Sequence, residues 1–413
     1  MERTILHCDM NNFYASVECM LDLSLKGKPV AVGGDEENRH GIILAKNYEA
    51  KKFGVQTGEP LWQARRKCRD LVIVKPHYEQ YLKYSELAHK IYNEYTDKVE
   101  PFGMDECWLD VTGSRLLKGD GIKIANEIRE RIKRELGLTV SIGVSFNKVF
   151  AKLGSDMKKP DAVTVIDRRD FKETVWQLPV EELLGVGRAS KNVLQSLGIK
   201  TIGELACEKP DAVKKKLGKC GTLLIRYAKG EDLSPVSEYS YEPPVKSVGH
   251  GITTREDLCT NGEVWNVMLF LTQDIAHKLR GYNKNASGVM IDIRNSALTH
   301  QQWQCKLTPS TSSAYVIAKT AYLLFERSYK WELPMRSVTV RAINLEAADE
   351  GEQLDMFTDY EKIEKRGRIE DAVENIRARY GKYSIMPAEL YNKNSKMPTD
   401  RETELRMPTG MFG

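Results

Sequence analysis

The sequence predicts a protein of several domains that combines α/β and α+β architecture. With 413 residues, the chain exceeds the length that one hydrophobic core usually serves. In its first part, short strand-like runs at 4–9 and 29–33 alternate with segments at 81–99 and 121–136 whose apolar residues have helical spacing. Short helical patterns punctuated by glycine follow from about residue 171, and a second mixture of strand and helix patterns begins after an extended linker.

The later segments are assigned from the same two criteria, apolar periodicity and composition. The glycine-punctuated helices predict a small all-α module that ends near residue 230, and the proline-rich, acidic stretch after it predicts an extended linker. The patterns beyond the linker predict strands at 289–294 and 335–345, helices at 264–279 and 312–326, and a charged helix at 363–380 after an acidic loop. A polar end of low order is expected after that helix.

The composition is that of an ordinary globular protein, with 41% hydrophobic and 29% charged residues. No apolar stretch approaches the roughly 20 residues that span a bilayer, and the N-terminus lacks the apolar core of a signal peptide. We therefore expect a cytoplasmic protein without a membrane segment. The net charge of +4 permits a nucleic-acid partner but does not require one.

The eight cysteines argue against two classes of small stabilised domain. They are scattered, without a close Cys-x-x-Cys pair, so neither a zinc knuckle nor a disulfide framework is predicted. We expect reduced and mostly buried thiols.

Three carboxylates are the candidate chemical centre. Asp9 closes the first predicted strand, and Asp105 and Glu106 stand where a turn enters another strand. Adjacent strand residues point to opposite faces, so these two acids can share a site only at a turn or strand end. Clustered carboxylates need cationic charge to offset their repulsion, and hard oxygen ligands favour Mg²⁺ or Mn²⁺ over Zn²⁺. Two such ions would stabilise the attacking and leaving oxygens of a phosphoryl transfer. By themselves, the same residues also fit a turn and a helix cap.

Two longer segments, one of which contains Asp9, favour the metal-binding interpretation over a turn and a helix cap. Residues 9–18 (DMNNFYASVE), residues 47–55 (NYEAKKFGV) and the pair Asp105-Glu106 resemble, in order and spacing, the three signature segments of Y-family DNA polymerases. The resemblance extends over about residues 1–345 and implies a right-hand polymerase fold. Its implied domains are a palm (1–20 and 76–166), small fingers (21–75), a helix-hairpin-helix thumb (167–232), a linker (233–244), an α+β little finger (245–345) and a tail (346–413).

The resemblance also implies roles for individual residues. Asp9, Asp105, Glu106 and the main-chain carbonyl of Met10 would bind two Mg²⁺ ions, for which Mn²⁺ can substitute. The implied nucleotide contacts are Phe13, Tyr14 as the steric gate against a ribose 2′-hydroxyl, Tyr48, Lys51 and Lys159. Lys51 departs from the family pattern, in which arginine is common, and loses the bidentate fork that grips phosphate oxygens. Asn11 replaces a frequent aspartate without removing a metal ligand.

Contacts to DNA and to a partner protein are implied further along the chain. Gly185 and Gly187 lie in a helix-hairpin-helix pattern, where glycines let backbone N–H groups approach a phosphate. Ser247, Gly249 and Arg336 are the implied little-finger contacts. The peptide Gln353-Leu354-Asp355-Met356-Phe357 resembles the segment with which bacterial polymerases dock on the sliding clamp.

The implied activity is template-directed addition of deoxynucleotides to the primer of a primer-template DNA. The resemblance implies low fidelity, translesion synthesis, no proofreading and a monomer. A non-catalytic accessory relative that binds DNA and the clamp is the alternative, although clustered acids would give a DNA-binding module no advantage beside a polyanion. The run Gly33-Gly34-Asp35-Glu36-Glu37 is similar to the signature of diguanylate cyclases, but Asn38 replaces its phenylalanine.

Overall fold

The computed structural model describes residues 2–34, 41–348 and 359–391, and the chain divides into two units. Residues 2–34 and 42–242 belong to the first unit, and residues 243–348 and 359–391 to the second. The peptide from Gln353 to Phe357 lies outside the described residues, as does the polar end beyond residue 391. Within the described ranges, no helix is long and apolar enough to cross a membrane.

Strands and helices alternate along both units. The strands of the described ranges are β1 (Ile5–Met10), β2 (Val30–Gly33), β3 (Ile43–Lys46), β4 (Val72–Val74), β5 (Val99–Pro101), β6 (Glu106–Asp110), β7 (Val140–Ser145), β8 (Val163–Ile166), β9 (Ser247–Leu258), β10 (Lys284–Asn295), β11 (His300–Thr311) and β12 (Met335–Ala347). The α-helices there are α1 (Phe13–Leu21), α2 (Tyr48–Lys52), α3 (Leu61–Lys67), α4 (Tyr78–Asn93), α5 (Arg115–Lys118), α6 (Gly121–Leu136), α7 (Lys148–Met157), α8 (Phe171–Val175), α9 (Arg188–Ser196), α10 (Ile202–Cys207), α11 (Pro210–Ala228), α12 (Asn261–Gly281), α13 (Ala314–Ser328) and α14 (Tyr360–Tyr380).

The central sheet of the first unit has the order β5-β6-β1-β7-β8. Strand β1 lies in the middle, antiparallel to β6 and β7, and all six of its residues are buried. Because side chains alternate along a strand, Leu6 and Cys8 point into the core that also contains apolar residues of α4 and α6. Ile5 packs with Trp108 and Ala151, so the odd-numbered residues of β1, which include Asp9, share the face covered by α7.

Helix α7 lies unusually close to this sheet. A Cβ atom at Gly143 on β7 would be 1.9 Å from the carbonyl oxygen of Ala151 and 2.6 Å from the backbone nitrogen of Ser155. Only glycine therefore fits there, and its absence of a side chain brings α7 down onto β1 and β7.

Two smaller parts complete the first unit. The sheet β3-β2-β4 packs with α2 and α3 around a core that contains Ala31, Ile43 and Leu61. Helices α8 to α11 form an all-α part whose core contains Leu194, Ile202 and Leu224. This part corresponds to the predicted module from residue 171 to about 230.

The second unit alternates strands and helices as β9-α12-β10-β11-α13-β12. Its four strands form an antiparallel sheet of order β11-β10-β12-β9. The alternate residues Val289, Ile291 and Ile293 of β10 are buried in the core formed with α12 and α13. Two mixed sheets in the first unit and one antiparallel sheet in the second, each packed with helices, confirm the predicted multidomain α/β and α+β fold.

Several element boundaries differ from the prediction. The helix expected over 81–99 ends at Asn93, because Val99 pairs with Leu109 as the first residue of β5. Strand β11 was missed, since its inward apolar residues alternate with polar ones for only part of its length. The cysteines are all free, but only Cys8, Cys68 and Cys107 are buried, so the expectation of mostly buried thiols was wrong.

Candidate active site

Two of the three predicted acids face each other across a strand pair. In the ladder between β1 and β6, Asp9 lies opposite Glu106. Directly opposed residues of antiparallel strands point to the same face, so both carboxylates project toward α7. The backbone N–H of Met10 donates to the carbonyl oxygen of Asp105 at 2.9 Å, which holds Asp105 at the start of β6 beside them. The strand begins at Glu106, so the adjacent acids lie at a strand end, as the site requires.

Two lysines of the α7 segment neutralise these acids. Lys159 Nζ lies 2.7 Å from Asp9 Oδ2 and 2.9 Å from Asp156 Oδ1. Lys152 donates to Glu106 Oε2. Within residues 2–34, 41–348 and 359–391, no three His, Cys, Asp or Glu side chains are grouped closely enough to hold a metal ion. Lys152 and Lys159 thus supply cationic charge at Glu106 and Asp9.

The electrostatics of the acids nevertheless fit a divalent cation. Burial raises the pKa of Asp9 to about 6, and the charge of Glu106 adds to that effect against the opposing charge of Lys159. Burial and the charges of Asp9 and Glu106 raise the pKa of Asp105 to about 7. Buried carboxylates that also repel one another are donors that Mg²⁺ accepts, because the ion offsets both the cost of burying their charge and the repulsion.

Glu106 behaves differently from the two aspartates. Burial alone would raise its pKa, but the hydrogen bond of His7 and the charge of Lys152 prevail and hold the pKa at about 2. His7 is fully buried on β1, and its Nε2 lies 3.3 Å from Glu106 Oε2. Neither His7 nor Lys152 was predicted from the sequence. The position of His7, two residues before Asp9 on one strand face, was the available signal.

Tyr14, the predicted steric gate, is held by another tyrosine. Its ring stacks on that of Tyr81 on α4 with centroids 4.3 Å apart and planes 9° from parallel. Its hydroxyl lies 3.5 Å from the sulfur of Met104, and burial followed by the charge of Asp105 raises the pKa of Tyr14 to about 12. Phe13 is only 2% exposed and packs into the core behind this pair. The contact with Tyr81 was not predicted from the sequence.

Tyr48 and Lys51 lie on the short helix α2. Asn47 caps this helix, because its Oδ1 accepts from the backbone N–H of Ala50 at 2.9 Å. Burial raises the pKa of Tyr48, the charge of Lys159 lowers it and the charge of Asp9 raises it. Tyr48 is therefore within electrostatic range of the acidic centre. Lys51 Nζ lies 5.7 Å from the centroid of the Tyr48 ring.

Asn11 connects the first signature segment to the segment that carries Lys159. Its Oδ1 accepts from the backbone N–H of Asp161, and its Nδ2 donates to Ser141 Oγ, both at 2.9 Å. The neutral amide donates in one contact and accepts in the other, whereas an aspartate at this position could only accept in both.

The predicted DNA contacts lie on separate units. In the first unit, Gly185 has a φ of 92°, which favours glycine, and Gly187 precedes α9 at a place where a Cβ atom would have open space around it. In the second unit, Gly249 on β9 pairs with Arg341 on β12, and both are exposed. Ser247 lies on the same strand as Gly249, and Arg336 is half-buried near the start of β12.

The chain is similar to known proteins both in sequence and in structure. Residues 8–156 match the impB/mucB/samB family, and residues 245–356 match the C-terminal domain of that family. The chain is 50% identical over 385 residues to the DNA polymerase IV of Acetivibrio thermocellus, covering 93% of this chain and 96% of the relative. It is 36% identical to DNA polymerase IV 1 of Bacillus subtilis, covering 92% and 91%. A solved Y-family DNA polymerase chimera of Dbh and Dpo4 superimposes with a TM-score of 0.72 at 25% identity, covering 83% of this chain and 99% of the chimera.

Proposed function

This chain belongs to the impB/mucB/samB family, and we infer that it is a Y-family translesion DNA polymerase, which adds deoxynucleotides to a primer on a DNA template. The main support for this activity is the position of the three acids. Asp9 lies opposite Glu106 across β1 and β6, and Asp105 lies beside them at the strand end. A non-catalytic relative is not favoured, because all three acids are present on the predicted strand ends. The cyclase interpretation fails, because the family match spans the whole region of its motif.

We propose that Asp9, Asp105, Glu106 and the carbonyl of Met10 bind two Mg²⁺ ions, with Mn²⁺ as a substitute. When bound, the ions supply the positive charge that activates the primer hydroxyl and stabilises the leaving pyrophosphate. We propose that Lys159, which pairs with Asp9 and Asp156 in this structure, then holds a phosphate of the incoming nucleotide. Tyr48 and Lys51, on α2, are proposed to contact the same triphosphate.

Around this centre we propose the domain roles of the family. The central sheet would be the palm, the part around β2 to β4 the fingers, helices α8 to α11 the thumb, and the sheet of the second unit the little finger. Gly185, Gly187, Ser247, Gly249 and Arg336 would contact DNA, and Tyr14 would reject ribonucleotides. Phe13 is proposed to act on the nucleotide through Tyr14, because its own ring is buried.

The partner and location of the protein are further proposals. We propose that residues 353–357 bind the bacterial sliding clamp, with Leu354, Met356 and Phe357 filling an apolar pocket. Low fidelity without proofreading, action as a monomer and location in the cytoplasm, where its DNA substrate is, complete the proposal.

Primer extension tests the activity. With Mg²⁺ and deoxynucleotides, the wild type should extend primers on undamaged and abasic templates, whereas Asp105→Asn and Glu106→Gln should each lower the rate on the order of 10³-fold, because several kcal/mol of charge stabilisation would be lost. Asp120→Asn is the matched control: Asp120 caps α6, asparagine caps equally well, and extension should not change. If wild type bound DNA but extended no primer, the accessory interpretation would replace this one.

A further inference from the structure

A buried histidine and serine lie directly beneath the acidic centre. His7 and Ser155 are both 0% exposed. His7 Nδ1 lies 2.8 Å from Ser155 Oγ, and the opposite ring nitrogen, Nε2, lies 3.3 Å from Glu106 Oε2. The imidazole therefore connects α7 to the carboxylate at the start of β6.

The surrounding packing fixes the plane of this imidazole. On one side, the ring of Trp108 meets it edge-on, with centroids 5.1 Å apart and planes at 61°. On the other side, α7 approaches closely because Gly143, the ladder partner of His7 on β7, has no side chain. Ser155 is thereby brought within hydrogen-bond distance of the ring.

The hydrogen-bond donors and acceptors around His7 favour one tautomer of its imidazole. His7 Nε2 is buried, and within the described part of the chain the Glu106 oxygen, 3.3 Å away but poorly aligned with the ring, is the acceptor in reach. If Nδ1 carried the proton, the Nε2 lone pair would face a carboxylate oxygen in a buried place, which is repulsive. If Nε2 carries the proton, it donates to Glu106, and the Ser155 hydroxyl, which otherwise donates to the Lys152 carbonyl at 2.7 Å, donates to Nδ1.

We propose that His7 is a positioning residue for Glu106, with Ser155 donating to Nδ1 and Nε2–H holding the carboxylate beside Asp9. The inference rests on the proposed role of Glu106 as a metal ligand. A glutamate side chain has three rotatable bonds, so a buried donor that restricts it reduces the ordering needed when an ion binds. Lys152 also contacts Glu106, but on a flexible stem, and it cannot fix the orientation alone.

Two substitutions of His7 distinguish the contribution of Nε2 from that of Nδ1. The amide nitrogen of glutamine reaches about as far as Nε2, whereas that of asparagine reaches only as far as Nδ1. His7→Gln therefore keeps a donor for Glu106, and His7→Asn loses it. Ser155→Ala removes the partner of Nδ1 without changing His7. His89→Gln, at a buried histidine on α4, is the matched control.

The first measurement is the tautomer of His7 in the full-length protein without metal, from the imidazole ¹⁵N chemical shifts in NMR. The second is Mn²⁺ binding, followed by electron paramagnetic resonance, in a complex with a deoxynucleoside triphosphate and a primer-template that lacks the primer 3′-hydroxyl, so that no turnover occurs. We expect the Nε2–H tautomer, and we expect His7→Asn to weaken Mn²⁺ binding by about tenfold or more, the usual effect of removing an outer partner of a metal ligand. His7→Gln should recover most of this loss, and Ser155→Ala should show an intermediate loss.

Three results would overturn the inference: an Nδ1–H tautomer, wild-type Mn²⁺ binding by His7→Asn, or equal losses in His7→Asn and His7→Gln. Thermal unfolding checks that each variant is folded, and Ser155→Ala replaces His7→Asn as the deciding variant if the latter does not fold. If the wild-type complex bound no Mn²⁺ and extended no primer, the proposed function would fail and the role of His7 with it. An active wild type with an unaffected His7→Asn would overturn only the inference.

Discussion

At the scale of single residues, the proposed selection against ribonucleotides depends on the stacked pair of Tyr14 and Tyr81. Face-to-face stacking at 4.3 Å leaves the Tyr14 ring little freedom to tilt. Tyr81 is in turn held by a hydrogen bond from its hydroxyl to the buried Glu18. A rigid ring can reject a 2′-hydroxyl sterically, whereas a mobile ring would move aside.

Tyr14→Ala should therefore lower the preference for deoxynucleotides over ribonucleotides by about tenfold or more, the effect of roughly 1.4 kcal/mol of lost steric rejection. Tyr14→Phe keeps the ring and its stacking and should retain selectivity. The measurement is the ratio of kcat/KM for dCTP and CTP in single-nucleotide extension. Unchanged selectivity in the alanine variant would show that another residue is the gate.

His89 provides a pH test that is separate from the active site. It is buried on α4 between the rings of Tyr92 and Tyr239, and burial lowers its pKa to about 4 from an ordinary value of 6.5. The unfolded chain therefore takes up a proton on this residue at higher pH than the folded one does. The stability that neutral His89 contributes is complete above pH 6.5 and is lost as the pH falls toward 4.

Relative to His89→Gln, the free energy of unfolding of the wild type should fall by about 2 kcal/mol between pH 7 and pH 5. Urea unfolding of both proteins at the two pH values measures this difference. A difference between wild type and variant that does not change with pH would contradict the assigned cause.

At the scale of elements, the charged helix α14 packs on α12 through polar contacts. Its inward stripe is polar: Glu370 accepts from Arg280 and, at 2.6 Å, from Ser313 Oγ, and Glu374 lies 2.6 Å from His277 Nδ1. Arg377 donates to Gln273 Oε1 at 3.1 Å. The helix predicted at 363–380 is thus anchored to α12 and the start of α13 by ionic hydrogen bonds more than by an apolar face.

Glu370→Gln should loosen this attachment, because a hydrogen bond between charged partners contributes roughly 1.5–3 kcal/mol. Hydrogen exchange of residues in α14 should become faster by about tenfold or more, while α12 should exchange as before. Glu364→Gln, on the exposed side of the same helix, is the matched control and should exchange like wild type. Equal exchange in Glu370→Gln and wild type would mean that the ionic contacts do not hold the helix.

At the scale of the whole molecule, the proposed DNA contacts are three glycines, Ser247 and Arg336, all of which can meet phosphates. Contacts to phosphate position a protein on DNA without reading its sequence. Affinity for a primer-template should therefore depend little on sequence and steeply on salt. Each phosphate that a lysine or arginine neutralises adds about 0.9 to the slope of log affinity against log salt, so affinity should fall as salt rises from roughly 50 to 200 mM.

Fluorescence anisotropy with two primer-templates of unrelated sequence, titrated over this range of salt, measures both dependences. A flat salt titration would contradict a grip through phosphates. A large difference between the two sequences would instead indicate contacts to bases.

The sequence by itself was sufficient for features that depend on neighbouring residues. The strand periodicity around Asp9 and the helix at 121–136 follow from patterns that are complete within one element. The acids and the gate could be predicted because they lie in short segments with a family pattern. The end of α4 was not predictable in this way, since it is set by the pairing of Val99 with Leu109.

Only the tertiary structure decided which groups support the site. The ladder of β1 and β6 places Asp9 opposite Glu106, across nearly a hundred residues of chain, and the absence of a side chain at Gly143 brings Ser155 to His7. Likewise, the packing of α4 brings Tyr81 against Tyr14. These contacts join elements that are far apart in the chain. Ladder register and helix packing determine them, and neither leaves a periodic signal in the segments that meet.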